Sequence, residues 1–329
     1  MNIIEIATKF PTERKAVMYF EKIRWGKEIK CPYCGHNSVS KHDWQHRHRC
    51  YKCTKAFSVT VKTQLHHTRV PLQKWLYAFG IISDAKKGLS ALQLQRNLGG
   101  MDYKTVHKLY LKTRQLMAMD TNQPDQLKGI VEIDETYIGG KPRRFSALSR
   151  ETSKIRPYEP ELDEQIKELK KKGVNFKTGK KSPAKPDLVS KAGRGTNNIP
   201  VVGAVQRNGD VVAEVMNGLT HKKIKDFVQE YIKEQKSTLV SDQAPLYTRI
   251  DSIIDHIAIN HKRMYSYKGV NTNSIESFWA IIKRGIIGQY HHVSTRHLPD
   301  YIAEFVFKYN NRKVDDMFET LVKNSMEAA

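Results

Sequence analysis

Four cysteines place the tightest constraint on how this chain folds. They form two pairs, Cys31-x2-Cys34 and Cys50-x2-Cys53, separated by fifteen residues, and the 329-residue sequence contains no other cysteine. Two short turns of this kind can present four thiolates to one tetrahedral Zn²⁺, so the spacing predicts a zinc ribbon. Two disulfides or a redox-active pair are the alternative, which is less favoured because all four cysteines fit one metal site.

Three of the four histidines between the cysteine pairs are further candidate ligands: His42, His46 and His48. Four thiolates already complete a tetrahedral shell, so we expect these histidines to serve other purposes. Lys, Arg and His side chains surround Trp44 in the same segment. We therefore expect the ribbon to touch DNA.

The net charge of the chain is strongly positive. It has 56 Lys and Arg against 34 Asp and Glu, which gives +22 and a pI of about 9.7. A field of this sign attracts phosphate backbones, although charge alone would equally fit a ribosomal or a membrane-surface protein. No stretch approaches the roughly 20 apolar residues of a membrane span, and the N-terminal residues do not resemble a secretory signal. The sequence thus predicts a cytoplasmic, nucleoid-associated protein with no membrane partner.

Helical periodicity marks most of the first 125 residues outside the ribbon. Thr12 can cap a short helix that would brace the ribbon. Beyond the ribbon, the stretch from Leu72 to Ile82 predicts an amphipathic helix. Ser90 begins a second helix, and Asp102 caps a third after the Gly99-Gly100 turn.

Two short helices joined by a glycine turn resemble a helix-turn-helix. In this interpretation the third helix enters the major groove of DNA. The side chains near its N-terminal end would then contact DNA: Lys104, Thr105, His107 and Lys108. A purely structural helical bundle is the alternative, because it shows the same pattern.

From residue 128 onward, strands alternate with helices. Val131 and Ile133 alternate with Asp134, so one face of the predicted strand is apolar and the carboxylate lies on the other. Asp242 follows a short buried strand, at the carboxyl end where open α/β sheets place their chemistry. Further elements are predicted as follows: strands at 200–206 and 211–216 joined by a turn at Asn208-Gly209-Asp210, and a helix at 221–235.

A helix around Glu276 carries the third acidic position. Its apolar residues lie at i, i+3, i+4, i+7 and i+11: Ile275, Phe278, Trp279, Ile282 and Ile286. Glu276 and Lys283 lie off this stripe, two turns apart on a shared face. Carboxylates from three distant segments are what a site needs to hold two divalent cations against a phosphodiester. For Glu276 taken alone, a solvated charged face is the alternative.

Several segments resemble one known family. They are RWGKEIKCPYCG with HRCYKC, then VEIDETYIGGK, GRGTNN, VVGAV and SDQAPLY, and finally the long run from YKGVNTNSIESFWAIIKRG to FKYNNR. Together these segments extend from about residue 10 to 315. The chain resembles insertion-sequence DDE transposases of the zinc-ribbon group with an ISXO-type transposase domain.

The resemblance implies an α/β fold with a ribonuclease-H-like catalytic domain, a mixed sheet flanked by helices, after the zinc ribbon and a helix-turn-helix-like domain. It implies that Asp134, Asp242 and Glu276 bind two Mg²⁺ or Mn²⁺ ions and that Lys283 and Arg284 contact DNA. Members of the group vary at the third acidic position, so Asn273, one turn before Glu276, is a second candidate there. The implied partners are transposon ends and target DNA, cut by a homodimer or larger assembly in a bacterium or archaeon.

The predicted domain boundaries follow from these patterns. They are 1–66 for the N-terminal helix and ribbon, 67–125 for the helical domain, 126–318 for the catalytic domain and 319–329 for a C-terminal tail. A basic insert at 141–195 contains 16 Lys and Arg against 7 Asp and Glu, a net charge of +9. It would either clamp DNA or form a solvated loop.

Two other functions fit parts of the sequence. A domesticated, non-catalytic DNA-binding protein would need the ribbon and helices without the carboxylates. A resolvase-like nuclease would use the same fold to cut branched DNA without joining ends.

Overall fold

The computed structural model describes residues 1–40, 45–119, 126–139, 198–242, 244–247, 250–259, 271–314 and 316–328. Met1–Thr136 and Ile199–Ala329 form one compact unit. Tyr137–Asn198 form a second, most of which, including the predicted insert at 141–195, lies outside the described residues.

Helices occupy the N-terminal part as the sequence predicts. Their bounds are α1 Ile3–Lys9, α2 Glu13–Trp25, α3 Leu72–Asp84, α4 Ala91–Leu98 and α5 Tyr103–Ala118. The three predicted capping side chains accept backbone N–H groups: Thr12 from Lys15, Ser90 from Gln93 and Asp102 from Thr105. These bonds satisfy donors that the first turn of a helix leaves open, so the predicted helix starts are confirmed.

The small ribbon has its own core. Strands β1 His48–Arg49 and β2 Ala56–Phe57 pair antiparallel. Cys31, Cys50, Phe57 and Val61 form a buried cluster of their own, separate from the helical core.

A mixed five-stranded sheet follows, as the α/β prediction requires. Its strands are β3 Leu127–Ile138, β4 Ile199–Gln206, β5 Val211–Val215, β6 Ile232–Asp242 and β7 Asp255–Ile259. Their order is β5-β4-β3-β6-β7. Strands β4 and β5 are antiparallel, whereas β3 with β6 and β6 with β7 are parallel.

Among the described residues, three helices accompany the sheet: α6 His221–Tyr231, α7 Asn273–Gly285 and α8 Leu298–Asn310. A π-turn, Ile286–Tyr290, continues directly from α7. The predicted helix at 221–235 ends four residues early, because β6 begins immediately at Ile232. None of the helices in the described ranges offers the apolar run that a membrane crossing needs.

Two expectations need correction. The C-terminal tail predicted at 319–329 is mostly helix α9, Met317–Met326. Its apolar side chains Phe318, Leu321, Val322 and Met326 recur at helical spacing and are buried in the core of the helical part. The supposedly polar face of β3 is also covered, since Glu132 has no exposed surface.

A buried ionic cluster joins the helical part to α8. Glu304 is fully buried and accepts hydrogen bonds from Arg114 Nε at 2.8 Å, Lys308 Nζ at 2.6 Å, Tyr110 OH at 2.9 Å and Tyr290 OH at 3.0 Å. Arg114 and Tyr110 lie on α5, so the cluster ties this helix to α8 and to the π-turn after α7.

Candidate active site and metal centre

The four cysteine sulfurs converge at the ribbon. Their Sγ atoms all lie within 4.8 Å of one another, and Cys31–Cys53 and Cys34–Cys50 are each separated by 3.6 Å. A disulfide requires about 2.05 Å, so these are free thiols. The donor set and its spacing fit a structural Zn²⁺ held by four thiolates.

His48 has partners other than the thiol cluster. Its Nε2 lies 2.9 Å from Glu21 Oε1, and its Nδ1 lies 2.7 Å from the carbonyl oxygen of Ser40. The Nε2 contact ties the ribbon to α2, and the Nδ1 contact lies within the ribbon. His46 is half-buried, and the third histidine considered, His42, lies outside the described residues.

Asp134 and Asp242 stand side by side on neighbouring strands. In the parallel pair β3–β6, Glu132 lies opposite Val240. Continuing that register by two residues sets Asp134 opposite Asp242, the last residue of β6. Adjacent strands are about 4.8 Å apart, and opposed residues point to the same face. Two carboxylates therefore share one face of the sheet at the carboxyl end of β6.

Glu276 lies in the first turn of α7 and completes the acidic group. Thr272 Oγ1 donates to Glu276 Oε1 at 3.0 Å. Burial raises the pKa of Asp134 to about 7, and the charges of Glu135, Asp242 and Glu276 act in the same direction. Asp242 and Glu276 thus both lie near enough to act on Asp134 electrostatically.

Within the described residues, the oxygens of these three carboxylates do not gather as tightly as the thiols. In the part of the chain that the structure describes, only the cysteines form a group of three or more potential ligands whose donor atoms all lie within 4.8 Å. Two metal ions about 3.5–4 Å apart need ligands on both sides of the pair, and therefore a wider spread of oxygens. Three hard oxygen donors in this arrangement fit Mg²⁺ or Mn²⁺.

Two further carboxylates near the site were missed by the sequence analysis. Glu135 Oε2 accepts a hydrogen bond from the buried Tyr247 hydroxyl at 2.7 Å. Glu132 accepts hydrogen bonds from Ser274 and Ile275 at the start of α7. Their adjacency to Asp134 in the sequence was the available signal, but alternation placed Glu132 only on the face opposite the apolar one and did not predict its burial.

The remaining predicted site residues on α7 are exposed. Asn273 is its first residue, and Lys283 and Arg284 lie in its last turn. The rise from Glu276 to Lys283 is about 10 Å along the helix axis. Glu276 and Lys283 lie off the buried stripe of Ile275, Phe278, Trp279 and Ile282, as predicted. Ile286, the last residue of the predicted stripe, is only half-buried and belongs to the π-turn.

The N-terminal turn of α5 presents its predicted DNA contacts unequally. Lys104 and Lys108 are exposed. Thr105 donates its hydroxyl to the capping Asp102 at 2.6 Å. Partial burial lowers the pKa of His107, with Arg114 and His297 acting in the same direction. The two lysines are thus the better placed of the four for a phosphate backbone.

Two family matches cover separate parts of the chain. Residues 11–56 match the transposase zinc-ribbon domain, and residues 174–310 match the ISXO2-like transposase domain. The two matches together span more than half of the chain. The four cysteines fall in the first, and Asp242, Asn273, Glu276, Lys283 and Arg284 fall in the second. Asp134 precedes the second match, and the candidate DNA contacts of α5 lie between the two.

A curated relative supports the same assignment. An uncharacterized protein in transposable element ISH50 of Halobacterium salinarum is 33% identical over 146 residues, which are 43% of this chain and 48% of the relative. The chain thus spans about half the length of that relative.

Two solved structures show distant similarity. One is the simian T-cell lymphotropic virus intasome in complex with PP2A regulatory subunit B56 gamma, with 11% identity over 69% of this chain and 66% of that chain, and a TM-score of 0.28. The other is a pre-cleavage Mos1 transpososome, with 10% identity over 76% of this chain and 78% of that chain, and a TM-score of 0.27. TM-scores this low do not establish a shared fold.

Proposed function

The chain belongs to the insertion-sequence transposases that combine a zinc ribbon with an ISXO2-like transposase domain, and from this premise we propose a DDE mechanism. The protein would bind the ends of its element, cleave the DNA and join the 3′-OH ends to target DNA. The observation that carries this proposal is the parallel register of β3 and β6, which pairs Glu132 with Val240 and, continued by two residues, brings Asp134 opposite Asp242. The charge of Glu276 acts on Asp134 as well.

The sheet supports a ribonuclease-H-like catalytic domain. Strand β3 is central, with the antiparallel pair β4–β5 on one side and the parallel strands β6 and β7 on the other. Asp134 lies on the central strand, Asp242 at the end of its parallel neighbour and Glu276 on a helix that follows the sheet.

The proposed ligands are Asp134, Asp242 and Glu276. When bound, two Mg²⁺ or Mn²⁺ ions would activate a water or 3′-hydroxyl and stabilise the leaving oxygen. The continued register of β3 and β6 would let Asp134 and Asp242 share one ion, and Glu276 would reach the same site from α7. Burial is the main cause of the raised pKa of Asp134, and the charges of Glu135, Asp242 and Glu276 add to it; bound cations would favour the ionised carboxylate.

DNA contacts are proposed for basic side chains around this site. Lys283 and Arg284 are exposed about two turns from Glu276, a distance suited to a phosphate beside the reacting bond. Lys104 and Lys108 would meet the backbone at the N-terminus of α5, and the ribbon would add a further contact. Concerted cutting of two ends would require at least a homodimer acting on DNA in the cytoplasm.

A strand-transfer assay tests the proposal. Purified protein is mixed with a labelled duplex of the element end, a target plasmid and Mg²⁺. Asp242→Asn and Glu276→Gln are each expected to lower joining by about a hundredfold or more, because each removes a metal-binding charge. The control, Asp226→Asn, alters an exposed carboxylate on α6 and is expected to retain activity.

Other outcomes would identify different functions. Joining that survives Glu276→Gln would transfer the third ligand role to Asn273. End binding by the native protein without cutting or joining would indicate a non-catalytic DNA-binding protein. Cutting of branched DNA without joining would indicate a resolvase-like nuclease.

A further inference from the structure

We propose that Glu132 is a positioning residue that, together with Arg207, fixes the start of α7 so that Glu276 meets the two aspartates. This role rests on the proposed function, because it concerns the same metal site. We call these two residues the Glu132–Arg207 clamp.

Glu132 caps α7 from outside the helix. Its Oε2 accepts the backbone N–H of Ser274 at 2.7 Å and that of Ile275 at 3.1 Å, and its Oε1 accepts the Ser274 hydroxyl at 3.0 Å. These N–H groups are the second and third of the helix, the two that an N-cap side chain normally satisfies. A carboxylate at this end also interacts favourably with the helix dipole.

Because Glu132 caps the helix, the side chain at the N-cap position makes a different hydrogen bond. Thr272 occupies that position, and its hydroxyl donates to Glu276 Oε1 at 3.0 Å. Capping by Glu132 therefore lets Thr272 orient the proposed ligand Glu276. Thr272 is buried and Glu276 is exposed, so this hydrogen bond is partly shielded from water.

The position of Glu132 on β3 links the cap to the site. It lies two residues before Asp134, on the same side of the strand and about 7 Å away. The hydrogen bonds to Glu132 thus fix the start of α7 relative to the strand that carries Asp134. A shift of the helix would move Glu276 relative to both aspartates.

Arg207 completes the clamp from the turn that follows β4. Its Nη2 lies 3.1 Å from Glu132 Oε1 and also donates to the carbonyl oxygen of Asn271 at 3.1 Å. The backbone N–H of Arg207 donates to the carbonyl oxygen of Ile130 on β3 at 2.9 Å. Arg207 thereby balances the buried charge of Glu132 and holds the residue before the N-cap.

The clamp is distinct from the packing that holds the body of α7. Ile275, Phe278, Trp279 and Ile282 are buried, and this stripe docks the helix against the protein. Apolar contacts of this kind are non-directional, so they resist undocking more than a small slide or rotation. The directional hydrogen bonds of Glu132 specify the register that the metal site needs.

Glu132→Gln tests this role, because glutamine keeps one acceptor oxygen but removes the charge opposite Arg207. Mn²⁺ affinity is measured by calorimetry on the full chain with its zinc retained, and strand transfer is measured across Mn²⁺ concentrations. Mn²⁺ binding is expected to weaken about tenfold, with strand transfer recovering in part at high Mn²⁺. Faster amide exchange is expected in the peptide containing residues 272–276.

Two comparison variants separate positioning from general stability. Arg207→Lys keeps the positive charge and is expected to retain more Mn²⁺ affinity than Arg207→Met. Asp226→Asn is expected to match the native protein in every readout.

The outcomes are distinguishable. A less stable Glu132→Gln protein with native Mn²⁺ affinity and native metal dependence of transfer would overturn the positioning role. Unchanged amide exchange at the start of α7 would overturn the cap. A native protein that neither binds Mn²⁺ nor joins ends would instead overturn the proposed function, and the positioning role with it.

Discussion

Glu304 is a fully buried carboxylate, and its energetic role depends on the charges around it. Arg114 and Lys308 both contact it and are nearly fully buried themselves. Two positive groups thus depend on a single negative one for compensation. Removing one partner of a buried ion pair is far more costly than removing an exposed pair, because the remaining charge has no water to solvate it.

Glu304→Gln is therefore expected to lower the free energy of unfolding by about 3–5 kcal/mol. The measurement is urea denaturation followed by circular dichroism. Glu319→Gln is the matched control, since Glu319 forms an exposed i,i+4 pair with Lys323 at 3.0 Å and its loss should cost less than about 1 kcal/mol. Equal losses in the two variants would contradict this account.

The same residue predicts a dependence on pH. Burial alone would raise the pKa of Glu304, but Lys308 and Arg114 outweigh it and lower the pKa to about 2. In the unfolded chain the carboxyl takes up its proton near 4.5. Between these values the unfolded state binds more protons, so the stabilisation is complete above pH 4.5 and is lost as the pH falls toward 2.

The pH-dependent part of the stabilisation by Glu304 amounts to at most about 3 kcal/mol. The difference in free energy of unfolding between the native protein and Glu304→Gln is expected to shrink as the pH is lowered from 6 to 2.5. A difference that stayed constant over this range would show that the Glu304 carboxylate does not carry it.

At the scale of elements, α7 connects the proposed site to the rest of the protein. Its first turn is held by Glu132, and its last residue, Gly285, packs closely against neighbouring segments. A Cβ at Gly285 would lie 2.8 Å from the carbonyl oxygen of Lys87 and against the ring of Phe305. The helix thus has little freedom at either end.

Gly285→Ala is expected to destabilise the protein by about 1–3 kcal/mol through overpacking and to reduce strand transfer by displacing α7. Thermal unfolding and the joining assay check the two effects. Gly288→Ala is the control, because a Cβ there would meet nothing within 4 Å. If both alanine variants behave alike, close packing at Gly285 is not the cause.

At the scale of the whole molecule, the ribbon and the remainder have separate cores. The ribbon core contains only a few buried side chains around the cysteines, whereas the helical core draws on residues from both ends of the sequence. A core as small as that of the ribbon depends on its metal for stability. The helices and the sheet do not share that dependence.

Zinc removal is therefore expected to unfold the ribbon and leave most of the helical signal intact. Trypsin cleavage at Lys52 and Lys55 should accelerate after chelation, and binding to the element end should weaken. Cys34→Ser should reproduce both effects without a chelator, with zinc content falling from about one atom per chain. A ribbon that resisted trypsin after losing its zinc would contradict this prediction.

Local patterns were enough to predict much of this architecture. The cysteine spacing predicted the ribbon, Thr12, Ser90 and Asp102 marked helix starts, and the stripe of α7 was correctly assigned to the core. Each of these signals arises within a few residues, from capping or from periodicity. The C-terminal segment was not predicted as a helix because the helical spacing of the apolar residues in α9 was not recognised.

Residue order alone was enough to predict the residue types of the candidate site, the cysteine cluster and most element types, because these follow from local hydrogen bonding and hydrophobic spacing. The order and register of the strands, which bring Asp134 toward Asp242, could not be predicted in this way, since they depend on pairing between distant segments. Only the tertiary structure decided that Glu132 is buried and caps α7. Alternation placed this residue on the face opposite the apolar one, and the helix that covers it lies more than a hundred residues further along the chain.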